Sequence, residues 1–356
     1  MSRPVSWIPL LAPIFALGCA GAPPIESCRA IGAAAPLCGY QNPEDLALLP
    51  GERHVVVSEY GHVDRDQPGR LSLLDLDTRQ RHVLFEGGKA AGSAGAWGAS
   101  DCPGPPSAAF SPHGIDLHRR ADGALQLWVV QHGGRESVEM FEVSDVGGSW
   151  HAAWRGCVVA PEGDAFNDVV ALPEGGFLVT RPLPEGAGFF SFLGALWFGR
   201  ETGFVYAWQP QQGFVEVPGT RASYPNGLEL SSDGKTLYLN QTLASEVTKI
   251  DRASGEVLAR AEVSNPDNST WAGDGRLWIA SLRVSMSEMR ACSELASGSC
   301  PMRFAIVALD PETMETEVIY EGGPGTPSGA GTVGLEIPRG LLIGTFAGDR
   351  VVWVER

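Results

Sequence analysis

Positive charge is scarce in this chain: 26 Lys and Arg stand against 42 Asp and Glu in 356 residues, a formal net charge of −16. That balance argues against nucleic acid as a partner, because phosphate contacts need a basic face. It argues equally against electrostatic docking onto anionic lipid. Acidity is compatible with cation binding, although most acidic surfaces are simply solvated. Helical periodicity is missing too, for no amphipathic helix of ordinary length follows the N-terminal apolar run. The seven cysteines show no paired Cys-x-x-Cys spacing, which removes the usual zinc frameworks. Turn formers, by contrast, are abundant, with 45 Gly and 26 Pro in a chain that is 44% hydrophobic. That combination describes a folded, turn-rich all-β protein rather than a disordered one. The length suits one large domain or two ordinary ones.

The N-terminus reads as a targeting segment. Arg3 precedes WIPLLAPIFALG, an apolar run of about a dozen residues that is too short to span a bilayer and right for a signal peptide. It ends in Ala16-Leu17-Gly18-Cys19, which resembles a bacterial lipobox with Ala16 replacing the usual leucine. On this reading residues 1–18 are a lipoprotein-type signal peptide, Cys19 is the acylated first residue, 19–40 is a tether and 41–356 is the folded domain. Ala20 after the cysteine, rather than Asp, implies outer-membrane sorting where the host has one, with the protein facing the periplasm or the cell surface. An ordinary secretory signal is the alternative. Six cysteines then remain, and an even number in an exported chain implies disulfides. Fifteen pairings are open. Joining neighbours gives Cys28–Cys38 and Cys292–Cys300 and leaves Cys102 for Cys157.

Six stretches repeat one pattern, a turn between two apolar strands. The turns open PGERHVVVSE at Pro50, ADGALQLWVV at Ala121, PEGGFLVT at Pro173, SDGKTLYLN at Ser232, GDGRLWIAS at Gly273 and PRGLLIGT at Pro338. LALL, GIDLH, VVAL, GLEL, STWA and VGLEI precede them, and further strand-like segments such as RLSLLDLD and EVTKID lie between. Units of about four strands recurring at this spacing are the signature of a β-propeller, here with six blades. A β-sandwich or β-helix does not account for the repeat.

Just before each turn, at the entrance of the first strand, stands a polar residue: Glu44-Asp45, His113, Asn167-Asp168, Asn226 and Asp267-Asn268, with only Thr332 in the sixth unit. In a propeller the first strands line the central channel, so these positions converge at one mouth. Glu44, Asn167, Asn226, Asp267 and Asn268 are oxygen donors, the set that calcium prefers over zinc. Asp45 and Asp168 follow ligands directly, and strand alternation turns them toward a second, buried ion. Alternatively, such residues cap strands and satisfy backbone groups. His113 shares the register and is placed to take a proton from water. His132, on the next strand, is placed to hydrogen-bond to it.

The motifs NPEDLALL, FSPHGIDL, LWVVQHGGRESVEMFEV, FNDVVAL, PNGLELSSDGKTLYL, PDN and LLIGT, in this order, resemble the serum paraoxonase/arylesterase family, within the wider gluconolactonase and strictosidine-synthase-like group. The resemblance implies a six-bladed propeller with two calcium ions in the channel that hydrolyses lactones, aryl esters and sometimes phosphotriesters. It implies catalytic-calcium ligands Glu44, Asn167, Asn226, Asp267 and Asn268. A structural calcium falls to Asp45, Asp168 and the Ile115 carbonyl, and His113 and His132 form the family's histidine pair. The tail departs from mammalian members, which disulfide-link N-terminal strand to C-terminus; GTFAGDRVVWVER has no cysteine, so closure must rely on strand pairing. Segments 182–199 and 283–303 read as extra loops that shape substrate choice. The rival functions are a sugar lactonase of the gluconolactonase kind and a non-catalytic propeller that uses calcium as a staple for a protein-binding surface.

Overall fold

The computed structural model describes residues 22–62, 67–88, 97–184, 199–283, 288, 292, 295 and 297–356. The signal and lipobox residues therefore lie outside the described part, as do most of the 182–199 loop and much of 283–303. Every named element is a β-strand, twenty-four in six antiparallel sheets of four, numbered β1 to β24 in chain order. The first strands of the sheets are β2 (Pro43–Leu48), β6 (Pro112–Arg119), β10 (Val169–Ala171), β14 (Pro225–Leu230), β18 (Pro266–Trp271) and β22 (Gly331–Ile337). Each touches the first strands on either side, and β22 returns to β2, so the ring closes around an axis. This is the six-bladed propeller that the repeat implies.

Position in the blade explains the residue patterns. Second strands are packed on both faces by neighbouring blades and therefore read as unbroken apolar runs. Val55, Val56 and Val57 of β3 (His54–Glu59) are fully buried, as are Leu277 and Ile279 of β19 (Leu277–Leu282). Outer strands alternate, leaving Val83, Val215, Leu258 and Val318 about half exposed. The core is divided into six clusters, each built from two adjacent blades; Phe85, Phe110 and Phe141, for example, join the first to the second.

One expected boundary moves. Residues 34–38, read as tether, form β1 (Ala34–Cys38), which pairs antiparallel with β24 (Arg350–Glu355) from Ala34↔Val354 to Cys38↔Arg350. The N-terminal segment thus supplies the outer strand of the last sheet, and its backbone groups cover an edge that β24 would otherwise expose. Strand pairing closes the ring, as the cysteine-free tail requires. The disulfides join Cys28 to Cys38, Cys102 to Cys157 and Cys292 to Cys300, as neighbour pairing gives. Three disulfides fit a protein of an oxidising compartment.

Candidate metal centre and active site

The mouth residues share a local device. Each inner strand except β10 slips register with its partner at its start, between Pro43 and Asp45, Pro112 and Ile115, Pro225 and Leu228, Pro266 and Ser269, and Gly331 and Val333. Glu44, His113, Asn226, Asp267, Asn268 and Thr332 all fall inside these bulges. A bulge re-aims a side chain out of the pleat, and from these bulges Asn268 and His113 reach the Glu44 carboxyl. The glycines that follow His113 and Asn226 are demanded by crowding. A Cβ on Gly227 would strike the Asp267 carbonyl, and one on Gly114 would reach the Asp168 side chain.

Buried oxygens at this mouth lack partners. Glu44 Oε2 and the Oδ1 atoms of Asn167, Asn226 and Asn268 are fully enclosed and accept no hydrogen bond. In three of them the opposite atom is engaged: Asn268 Nδ2 donates to Glu44 Oε1 at 2.8 Å and Asn226 Nδ2 to Thr242 Oγ1 at 3.1 Å. Leaving a buried acceptor unpaired costs about 1–3 kcal/mol each, so four together ask for a shared partner. A cation satisfies all four, and oxygen donors in such number fit calcium. Asp267 is buried with them. Thr332 is not idle, since its hydroxyl donates to the Glu44 carbonyl at 2.7 Å and fixes that strand. Among the described residues no three His, Cys, Asp or Glu side chains form a metal cluster by themselves. The set depends on its amides.

A second layer lies one residue further along the strands. Asp45 accepts from the N–H of Leu46 (2.8 Å) and of Ile115 (2.7 Å), and Asp168 from Val169 (2.8 Å) and Leu228 (2.9 Å). Each carboxylate therefore bridges to the inner strand of the next blade. All four oxygens are already engaged, so this layer lacks the unpaired signature of the mouth. Asp116, which accepts from Ala171 N at 2.7 Å, and Glu229 add two further acids below it. Among the described residues none of Asp45, Asp116, Asp168, Glu229 and Asp267 pairs with a Lys or Arg.

Electrostatics follow from this crowding. Burial pushes the Glu44 carboxyl up to about 7, opposed by the Asn268 hydrogen bond. Burial, then the charge of Glu44, holds Asp45 and Asp267 well above the carboxylate range; burial, then Asp45, does the same to Asp168. A bound cation inverts that logic and lets them ionise.

His113 Nδ1 lies 2.9 Å from His132 Nε2, and His113 Nε2 lies 3.6 Å from Glu44 Oε1. Tyr60 packs against both rings, with centroids 5.1 and 5.7 Å away. Burial lowers His113 to about 4, against the pull of the Glu136 charge, which keeps the imidazole neutral at pH 7. The pair therefore stands beside the unpaired oxygens with an imidazole available as a proton acceptor.

A profile of the arylesterase family matches residues 40–352, almost the whole propeller. The chain belongs to the arylesterase family. Serum paraoxonase/arylesterase 1 of Homo sapiens is 26% identical over 320 residues, which cover 85% of this chain and 82% of that protein. The Mus musculus protein of the same name is 26% identical over 325 residues. Two solved structures resemble the fold. A gluconolactonase from Xanthomonas campestris has a TM-score of 0.52 at 18% identity, covering 94% of this chain and 98% of that one. A luciferin-regenerating enzyme has a TM-score of 0.54 at 12% identity, covering 89% and 91%.

In this arylesterase-family chain the expected residues stand on or beside the inner strands of neighbouring blades, apart from His132, which follows the second strand of its sheet and reaches His113. Three others escaped the sequence reading. Glu136 stands four residues beyond His132 and holds its ring. Asp116 and Glu229 directly follow Ile115 and Leu228, the residues whose N–H groups bind the second layer. Their position on first strands was the available signal.

Proposed function

We propose that this chain is a calcium-dependent hydrolase of lactones and aryl esters, exported and anchored through an acylated Cys19. Four enclosed, partnerless oxygens beside a hydrogen-bonded histidine pair carry this reading. Glu44, Asn167, Asn226, Asp267 and Asn268 would hold the ion at the mouth. Asp45, Asp168 and the Ile115 carbonyl would hold a second ion, whose role is structural. Bound there, calcium would supply Lewis-acid polarisation of an ester carbonyl and a countercharge for developing negative charge. His113 Nε2 faces the same point and removes the proton from the attacking water. His132 keeps the His113 ring in place through their shared hydrogen bond. A propeller that used calcium only as a staple would have no use for this pair beside the ion, and the pair therefore favours a hydrolase over a binding module.

The test is His113→Gln, which keeps size and polarity and removes the base. Loss of a general base lowers rate by about 10²–10⁴-fold. Hydrolysis of aliphatic lactones should fall by that factor while the calcium content stays that of the wild type. Nitrophenyl esters, whose leaving groups need less help, should lose less. Undiminished lactone turnover with calcium still bound would make His113 structural.

A further inference from the structure

We propose that Glu136 is the positioning residue that sets the proton pattern of the histidine pair and so leaves the lone pair of His113 at the mouth. The catalytic consequence rests on the hydrolase reading; the proton pattern itself does not.

Glu136 Oε1 and Oε2 lie 2.8 and 2.9 Å from His132 Nδ1. A carboxylate only accepts, so His132 Nδ1 must carry a proton. With the His132 ring neutral, this is its one N–H, and Nε2 is an acceptor. That nitrogen lies 2.9 Å from His113 Nδ1, so His113 donates from Nδ1. The lone pair of His113 is then on Nε2, the atom 3.6 Å from Glu44 Oε1. Reversing the pattern would set a lone pair of His132 against two carboxylate oxygens. It would also place an N–H, rather than a base, at the mouth. The acceptor behind His132, at 2.8 and 2.9 Å, outweighs the more distant Glu44 oxygen, 3.6 Å from His113, in deciding between the two.

Glu136 is held for this task. Its Oε2 accepts from Phe166 N at 3.4 Å, one residue before Asn167, and its carbonyl accepts from Ala160 N at 3.0 Å. The neighbouring Arg135 is turned away, 2.6 Å from Glu139, and does not consume the Glu136 charge. The side chains of His132 and Glu136 are 12% and 17% exposed, so their charge-assisted bond is partly screened from water. When His113 takes a proton, the positive charge on the pair lies against this carboxylate.

The experiment uses full-length protein labelled with 15N-histidine, whose ring tautomers are read from two-bond 1H–15N correlations. His113→Gln and His132→Gln serve to assign the signals. Both rings should carry their proton on Nδ1 in the wild type. In Glu136→Leu, which has no side-chain acceptor, the His132 pattern should change, and kcat for a lactone should fall about 10–10²-fold, with KM and calcium content unchanged. Glu136→Asp, which keeps a carboxylate, should retain part of both, and it serves alone if the Leu variant does not fold. Three results would overturn the proposal: a proton on His132 Nε2 in the wild type, full kcat in Glu136→Leu, or loss of activity only in step with loss of calcium. A wild type with the expected tautomers and no hydrolytic activity would uphold the proton pattern and remove the hydrolase reading.

Discussion

Asn226 shows how one amide serves this axis. Its nitrogen is spent on Thr242, 3.1 Å away, and its oxygen is left enclosed and unpaired. The acids around it meet the opposite difficulty, for burial opposes their charge. Without an ion, Glu44 holds its proton up to about pH 7 against an ordinary 4.5. The folded state then binds more protons than the unfolded chain between those values, so stability falls as pH rises through that window. For Glu44 alone the loss is on the order of 3 kcal/mol. Asp45, Asp168 and Asp267, raised for the same reason, act in the same direction. Chelated protein should therefore melt at progressively lower temperature from pH 5 to pH 8, and calcium affinity should rise over that range as the ion replaces protons. A melting temperature of chelated protein that is flat between pH 5 and 8 would refute the buried-acid account. Melting curves at several pH values, with chelator and with calcium, decide it.

Among the elements, the bulged start of the inner strand is the unit that makes the site. It adds one residue to the strand, bends it, and lets a polar side chain leave the pleat without breaking the sheet. Gly227→Ala tests this, because the new methyl group would collide with the Asp267 carbonyl in the next blade. Overpacking of this kind costs about 1–3 kcal/mol, read as a lower denaturant midpoint, and calcium binding should weaken with it. An unchanged midpoint would show that the neighbouring strand yields freely. The mouth residues were legible in the sequence because each stands at a similar offset before a Gly-containing turn, so their register could be read without coordinates. Glu136 was not, since which of the acids in HGGRESVE turns toward His132 depends on backbone direction after a strand has ended. Asp116 and Glu229 sat in strands whose apolar neighbours drew attention to packing. The pairing of Ala34–Cys38 with the last strand joins opposite ends of the chain, and nothing local in IGAAAPLC announces it.

For the molecule as a whole, the ring closes at two places: at its rim, where β1 completes the last sheet, and at its axis, where first strands from different blades present oxygens to one point. The mouth set draws on four of the six blades, from Glu44 to Asn268, residues 224 apart in sequence that meet at 2.8 Å. An ion there ties distant parts of the chain together and stabilises the fold by mass action, by about 2.7 kcal/mol at a hundredfold excess over Kd. On the proposed reading, structure and chemistry depend on the same centre. The most direct test is hydrolysis of an aliphatic lactone by a single preparation, stripped with a strong chelator and then reloaded with Ca²⁺, with thermal unfolding followed at each stage. Turnover and melting temperature should fall together on stripping and return together on reloading. Lactone turnover that persists undiminished in protein verified free of calcium would contradict the account.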